Sequence, residues 1–487
     1  MLFNSVEFLI FFPVVTALYF VLAHKYRWLL LLIASCVFYM AFIPAYIFIL
    51  IVTILIDYYA GMRIEDTAGA TRKLFLVMSI VSTCLVLFVF KYFNFFNSNF
   101  AAMAGYFDLR YPIGLVNIIL PIGLSFHTFQ SLSYVIEVYR GNQKAERHFG
   151  IYSLYVMFYP QLVAGPIERP QNLLHQLREE HGFDYERAKL GLKMMMWGLF
   201  KKIVIADRLS VAVNNVYNNP HGFTGVPLIT ATVFFAFQIY CDFSGYSDIA
   251  IGAAKIMGID LMTNFVRPYH SRSVAEFWKR WHISLSTWFR DYLYISLGGN
   301  RRGALRRYFN LFVTFLVSGL WHGANWTYVV WGALNGFYMI FAMLTSGLRR
   351  GISEITGING HPYILKFSQV AVTFALTCFA WIFFRANSLS DSFYIISHLF
   401  SGAANLLNPK YLVSLNVSLG INKVDIILAF GSLAVLEAVH LAQGSERLRL
   451  AVAALPWEIR WGMNYSVAFS ILMFGVFNSS AFIYFQF

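Results

Sequence analysis

Apolar side chains follow one another along this chain in long uncharged runs. No Asp, Glu, Lys or Arg lies between Arg27 and Asp57, and seven further runs share this property: residues 74–90, 111–136, 149–167, 209–241, 308–348, 367–384 and 462–487. A helix that crosses the hydrocarbon layer of a membrane needs about 20 apolar residues. Several runs fit one crossing, and the longest must fold back or break at Pro44, Pro220 or Gly323. The pattern predicts an all-α polytopic membrane protein with about eleven transmembrane or re-entrant helices.

The polar content of these runs divides a single membrane domain, residues 1–487, into three regions. Residues 1–110 contain few polar side chains inside their apolar segments, which predicts scaffold helices. Residues 111–348 bring Gly, Pro and polar groups into the apolar runs, as in the stretch 120–130. Broken backbone at membrane depth is tolerated only where protein or water surrounds it, so this region is the predicted catalytic core. Residues 349–487 return to plainer helices.

Composition agrees with a membrane protein and directs attention to one basic stretch. Hydrophobic residues make up 58% of the chain and charged residues 13%, about half the charged fraction of a soluble protein. The net charge is +13, and residues 267–307 hold nine basic side chains against two acidic ones. Short basic loops stay in the cytoplasm, which accounts for most of the basic clusters. For residues 267–307 we also expect contact with an anionic, phosphate-bearing substrate.

Neither a metal site nor a permanently bound cofactor is predicted. The four cysteines, Cys36, Cys84, Cys241 and Cys378, lie in apolar segments without CxxC spacing. No His, Cys, Asp or Glu group has zinc-ligand spacing, and His270, His398 and His440 stand without chemical neighbours in the sequence. No dinucleotide fingerprint or phosphate-binding loop occurs, and no nucleic acid partner is expected.

The strongest chemical signal is the stretch 317–326, VSGLWHGANW. At the ordinary helical rise, His322 lies about 20 Å beyond Tyr308, inside a hydrocarbon layer about 30 Å thick. An ionisable residue at that depth is a functional hypothesis by default. The alternative is a neutral imidazole that only bridges helices. The flanking Trp321, Asn325 and Trp326 favour a polar pocket with His322 as a general base.

The second signal is the stretch 276–294, EFWKRWHISLSTWFRDYLY. At helical spacing Trp278, His282 and Ser286 share one face, which Arg290 continues. An interfacial amphipathic helix with aromatic anchors explains the segment about equally well. For His282 itself the functional interpretation is favoured. Weaker candidates are five polar residues in or beside apolar runs: His127, Asp242, Ser244, Tyr246 and Asp248.

The two stretches resemble the membrane-bound O-acyltransferase family. The motifs are residues 281–294 and 318–326, supported by further matching stretches at residues 120–126, 163–167, 198–207, 240–250, 381–385 and 482–487. Within that family the chain resembles the membrane subunits of bacterial alginate O-acetyltransferases. The resemblance implies a helical fold around a central funnel or tunnel, with His322 as the catalytic histidine and His282 as the second active-site histidine.

The resemblance also implies the reaction and its partners. The donor would be cytoplasmic acetyl-CoA, used as a substrate. The acceptor would be an extracytoplasmic polysaccharide, reached through a hydrolase-like partner protein with an acceptor serine. The enzyme would be a multi-pass protein of the bacterial inner membrane. Eight residues around the histidines are predicted to bind substrate or donor: Trp278, Trp281, Ser286, Arg290, Arg301, Trp321, Asn325 and Trp326.

Three other functions remain open at this point. Peptidoglycan O-acetylation would use the same mechanism on a different polymer. A transporter of a polyanionic or lipid-linked substrate would also explain the basic stretch and the polar middle region, although no inverted repeat is visible. A scaffold that only anchors an extracytoplasmic transferase would leave His322 dispensable.

Overall fold

A computed structural model describes residues 1–116, 120–402, 408, 414–477 and 482–483. Every regular element among these residues is a helix, which confirms the all-α class. The chain forms two compact units: residues 1–195 with 247–263, and residues 196–246 with 264–486.

The first unit begins with five long or medium helices and continues with shorter ones. Its helices are α1 (Val6–Val21), α2 (His24–Met40), α3 (Ile47–Asp66), α4 (Gly69–Leu87), α5 (Phe93–Tyr106), α6 (Leu124–Arg140), α7 (Phe149–Met157), α8 (Tyr159–Leu162), α9 (Pro170–Leu173) and α10 (Tyr185–Leu199), whose last turn belongs to the second unit. A 3-10 turn, Pro44–Tyr46, precedes α3, and a π-helical turn, Phe88–Tyr92, joins α4 to α5.

The second unit contains both histidine motifs. Its helices are α11 (Asp207–Tyr217), α12 (Val226–Ile256), α13 (Val274–Arg280), α14 (Ile283–Trp288), α15 (Ala304–His322), α16 (Trp326–Leu344), α17 (Ser346–Ile355), α18 (Pro362–Arg385), α19 (Leu389–His398), α20 (Leu415–Ser418), α21 (Lys423–Gly444), α22 (Glu446–Ala453) and α23 (Trp457–Phe474). It also holds π-helical segments at Phe200–Ala206 and Phe289–Tyr294, and 3-10 turns at Pro220–Gly222, Pro268–His270 and Ile358–Gly360.

Six helical segments of the described chain are long and apolar enough to cross a membrane. They are Pro44–Asp66, Gly69–Tyr106, Val226–Ile256, Trp326–Leu344, Pro362–Arg385 and Lys423–Gly444. The sequence predicts about eleven, and the larger number is not confirmed. One reason is that an apolar run need not be one helix: residues 149–167 form α7, a turn at Phe158 and the four-residue α8. The expected central funnel stays a prediction.

A buried carboxylate ties the scaffold helices of the first unit together. Asp57 of α3 accepts hydrogen bonds from Ser79 Oγ at 2.6 Å and from Thr83 Oγ1 at 3.2 Å, both on α4. All three side chains are buried. A buried polar group is tolerated when its hydrogen bonds are satisfied, so this cluster fixes the pairing of α3 with α4.

Helices α15 and α16 pack so closely that glycine is required where they meet. A Cβ atom on Gly319 would lie 2.3 Å from the carbonyl oxygen of Tyr328, and one on Gly332 would lie 2.4 Å from that of Phe315. Small residues let helices approach closely where packing must replace the hydrophobic effect inside a membrane. The close contact sets the position of His322, which is the last residue of α15.

Replacing Gly319 by leucine is therefore expected to separate the two helices. The added side chain has no space against the backbone of α16, and overpacking of this kind costs about 1–3 kcal/mol or more. We expect a lower Tm in detergent and a smaller monodisperse fraction on gel filtration. Gly347→Leu is the matched control, because no atom lies within 4 Å of a Cβ built there. Equal thermal stability of the two variants would contradict the close packing.

Candidate active site

The segment that carries His282 is broken at the histidine itself. Helix α13 ends at Arg280, α14 begins at Ile283, and His282 has a left-handed backbone with φ of 43°. The predicted single helix face shared by Trp278, His282 and Ser286 is therefore wrong. For a residue other than glycine, a backbone with positive φ costs about 1–3 kcal/mol of folding free energy. Such a conformation persists where surrounding contacts enforce it, often at functional sites.

Asn264 supplies the contacts that hold this conformation. Its Oδ1 accepts from Ser284 N at 3.2 Å and from Ser284 Oγ at 2.9 Å, and lies 3.1 Å from His282 Nδ1. Because Asn264 Oδ1 accepts the backbone N–H of Ser284, it is an oxygen and has no proton to donate. It can form a hydrogen bond with His282 only if His282 Nδ1 carries the proton. The network therefore assigns the neutral tautomer protonated at Nδ1, with Nε2 as the basic nitrogen.

His322 lies at the end of α15, where the uncharged run breaks as expected at Gly323. A Cβ on Gly323 would come 2.1 Å from the ring of Tyr328, so only glycine fits beside it. The imidazole is buried and contacts the rings of Trp321, Trp331 and Phe384 at centroid distances of 4.8, 5.0 and 5.3 Å.

A continuous row of aromatic rings connects the two histidines. Successive ring centroids lie between 5.0 and 6.3 Å apart along the series His282, Phe265, Trp281, Trp381, Trp331 and His322. The three tryptophans are among the most deeply buried large side chains of the described chain. Both imidazoles therefore border one buried aromatic core, in which polar interactions with a reacting group are stronger than in water.

Comparisons with known proteins identify the family of this chain. A model of the membrane-bound O-acyltransferase family matches residues 16–383. The chain belongs to this family. It is 40% identical to the probable alginate O-acetylase AlgI of Pseudomonas aeruginosa over 405 residues, covering 82% of this chain and 75% of the relative.

Two further relatives act on other polymers according to their names. The peptidoglycan O-acetyltransferase of Helicobacter pylori is 33% identical over 432 residues, covering 81% of this chain and 79% of the relative. The teichoic acid D-alanyltransferase of Bacillus subtilis is 26% identical over 289 residues, covering 56% of this chain and 70% of the relative. Family and relatives together make the chain a multi-pass membrane O-acetyltransferase, and they decide against the transporter and the scaffold.

Six of the predicted binding residues lie at the two histidine motifs in different settings. Trp321 is buried against His322, and Trp278 contacts Trp331 at 5.8 Å. Asn325 caps α16 by accepting from Thr327 N, while Trp326 is 50% exposed. Ser286 Oγ donates to the carbonyl of Trp281. The arrangement brings Trp278, Trp281 and Trp321 to the aromatic core.

The basic stretch contains cations that are already paired and others that are not. Glu276 accepts from Arg272 and Arg280, and Arg290 Nε lies 2.7 Å from Asp291 Oδ1. Burial raises the pKa of Glu276, but the Arg272 N–H bond and the two guanidinium charges outweigh it and lower the pKa below its usual range. Arg301 is exposed and has no carboxylate partner in the described part of the chain. It is therefore the better placed of the two predicted phosphate ligands.

Four of the five weaker sequence candidates make contacts with other residues of their own unit. Asp242 pairs with Lys202 at 2.7 Å and accepts from Ile483 N, and Ser244 Oγ accepts from Lys201 Nζ. Tyr246 packs on Phe482. His127 and Asp248 belong to the first unit, where His127 Nε2 lies 3.4 Å from Thr53 Oγ1. None of these contacts involves His282 or His322.

Sequence reasoning missed three kinds of residue at or near the site. Asn264 is an ordinary polar residue ahead of the basic stretch, and nothing local marks its pairing with a histidine eighteen positions later. Trp381 begins the family stretch 381–385, but nothing in the sequence predicts that it stacks on Trp331, which lies outside every family stretch. The view of His270 and His440 as isolated is wrong, because both contact Glu437.

Proposed function

We propose that this enzyme passes acetyl from cytoplasmic acetyl-CoA across the bacterial inner membrane for O-acetylation of an extracytoplasmic, alginate-like polysaccharide. The observation that carries the proposal is the pair of buried histidines on one aromatic core in a member of this family. The alginate O-acetylase relatives support the acceptor class.

In this proposal His322 is the general base. It takes the proton of the acceptor hydroxyl while the hydroxyl oxygen attacks the thioester carbonyl carbon. The C–S bond then breaks, and the leaving thiolate receives the proton as CoA thiol. General base catalysis of this kind contributes about 100- to 10,000-fold. The indole N–H of Trp321 would donate a hydrogen bond to the developing oxyanion. The basic Nε2 of His282 cannot donate, and would instead accept a hydrogen bond from the acceptor hydroxyl.

The donor end of the site is proposed to be the basic stretch 267–307, facing the cytoplasm. Acetyl-CoA is a substrate here, and its phosphates suit exposed cations without carboxylate partners. The acceptor end lies on the opposite face. There either a hydrolase-like partner protein offers a serine hydroxyl, or the polymer itself approaches.

Charge reversal at Arg301 is expected to raise the KM for acetyl-CoA with little change in kcat. Arg301→Glu replaces an exposed cation that has no carboxylate partner by an anion that repels phosphate. Arg290→Glu is the matched comparison, and we expect a smaller increase, because Asp291 already offsets the Arg290 charge. The measurement is initial rate against acetyl-CoA concentration at two ionic strengths. The same KM increase for both variants would remove the special role of Arg301.

One-sided vesicles test the proposed transfer. Inverted membrane vesicles receive labelled acetyl-CoA outside and deacetylated alginate, with or without the partner protein, inside. Acetyl ester on the enclosed acceptor supports a relay across the membrane. Product only when donor and acceptor share one side would contradict it.

Peptidoglycan is the second candidate acceptor, favoured by the Helicobacter pylori relative. Enclosing peptidoglycan fragments instead of alginate in the same vesicles separates the two. Acetylation of peptidoglycan without acetylation of alginate would show that peptidoglycan is the acceptor, and it would leave the proposed mechanism unchanged.

A further inference from the structure

Two histidines and a glutamate meet outside the row of aromatic rings that joins His282 to His322. His270 Nε2 lies 2.7 Å from Glu437 Oε2, and His440 Nδ1 lies 3.3 Å from Glu437 Oε1. One ligand atom from each of the three residues falls within 4.8 Å of the other two. No other group of three potential ligands meets this condition in the described ranges.

We propose that His270, Glu437 and His440 bind one divalent transition-metal ion, of the Zn²⁺ class. Two imidazole nitrogens and one carboxylate are a known three-ligand set for zinc, with a fourth position for water. Ligand atoms around a tetrahedral zinc ion lie about 3.3 Å apart, from bond lengths of about 2.0–2.2 Å. The three ligand atoms lie within 4.8 Å of one another, so ion binding would require them to approach further by side-chain rotation.

The charge around Glu437 supports a cation at this place. Glu437 lies in the apolar helix α21, and its ion-pair partners in the described chain are the two histidines, with no Lys or Arg among them. Arg267, the neighbouring guanidinium, faces the backbone carbonyl of His440 rather than the carboxylate. A carboxylate in an apolar helix needs a compensating charge, which a bound metal ion supplies.

The second ring nitrogen of His440 is also held as in metal sites. His440 Nε2 lies 3.0 Å from the hydroxyl of Tyr240. Metal-bound histidines usually donate this second N–H to a fixed acceptor, which sets the tautomer and the ring orientation. In the metal-bound form, His440 would carry its proton on Nε2 and donate it to the Tyr240 hydroxyl, which leaves Nδ1, on the side of Glu437, to bind the ion.

The ion would stabilise the structure near the active site and would not contact the reacting atoms. His270 belongs to the turn Pro268–His270, between Asn264 and the helix that leads to His282. Glu437 and His440 belong to α21. A metal ion bound by all three would tie this turn to α21, and its removal is expected to lower the Tm.

Cobalt binding tests the site without any need for activity. The full chain, purified in detergent with a histidine-free tag, is treated with chelator and titrated with Co²⁺, and the visible ligand-field spectrum is recorded. We expect one ion per chain, with binding lost in Glu437→Gln and in His440→Ala. Tyr240→Phe keeps all three ligands and should weaken binding about 10-fold.

His221→Ala is the matched control, because among the described residues His221 faces a single carboxylate, Asp391, at 3.5 Å. It should bind cobalt as the unaltered chain does. Absence of stoichiometric binding to the unaltered chain, or equal affinity in Glu437→Gln, would overturn the proposal. If Glu437→Gln and His440→Ala fail to fold, the stoichiometry of the unaltered chain and the affinity of Tyr240→Phe decide it.

Discussion

His322→Gln is expected to insert and fold normally and to lose at least about 100-fold of the acetyl-transfer rate. Glutamine approximates the size and polarity of the imidazole but cannot accept the proton of an attacking hydroxyl. His322 is buried against Trp321, Trp331 and Phe384, so bulk water has little access to replace the missing base. The measurement is labelled acetyl transfer per mole of purified enzyme, with thermal stability recorded on the same sample.

An exposed histidine provides the control for this change. His361 precedes α18 at the surface, so His361→Gln should leave the rate unchanged. A correctly folded His322→Gln enzyme with near-normal turnover would remove His322 from the role of base. If the loss of rate in His322→Gln were accompanied by a large decrease in Tm, the result would indicate a packing role for His322 instead.

His282→Asn is expected to cost at least about 100-fold in rate while preserving the local backbone. Asparagine tolerates the left-handed conformation that His282 adopts at φ of 43°, so the loss would report the imidazole and not the turn. Asp108→Asn is the matched control, because Asp108 also has positive φ, at 53°. Retained activity in His282→Asn would show that the imidazole takes no part in the reaction.

The partner of His282 can be tested in the same assay. Asn264→Ala removes the oxygen that faces His282 Nδ1 and should reduce the rate by about 10-fold, whereas Asn264→Asp keeps an acceptor and should retain more activity. The two variants should also differ in the pH dependence of kcat, since a carboxylate favours the protonated imidazole. Equal rates and equal pH profiles would show that Asn264 only packs.

The segment at residues 276–294 shows why the local pattern fell short. Tryptophan, histidine and serine at intervals of four are typical of one helix face. In the folded chain, Asn264 Oδ1 binds the backbone and side chain of Ser284, and Ile283 N donates to the carbonyl of Asn264. Bonds to a segment eighteen residues away outweigh the helical preference of the sequence at His282. Periodicity contains no information about such distant partners.

Some features followed from the sequence because their causes are local or compositional. Long uncharged runs can only be buried in lipid or protein, so the helical membrane class was predictable. The break at Gly323 was predictable as well, and the motifs around His282 and His322 were enough to predict the family. The tertiary structure alone decided the left-handed turn at His282, the row of rings between the histidines and the meeting of His270, Glu437 and His440. These depend on contacts between residues up to 170 positions apart, as His270 and His440 are. Only the packing of the whole helical unit brings such residues together.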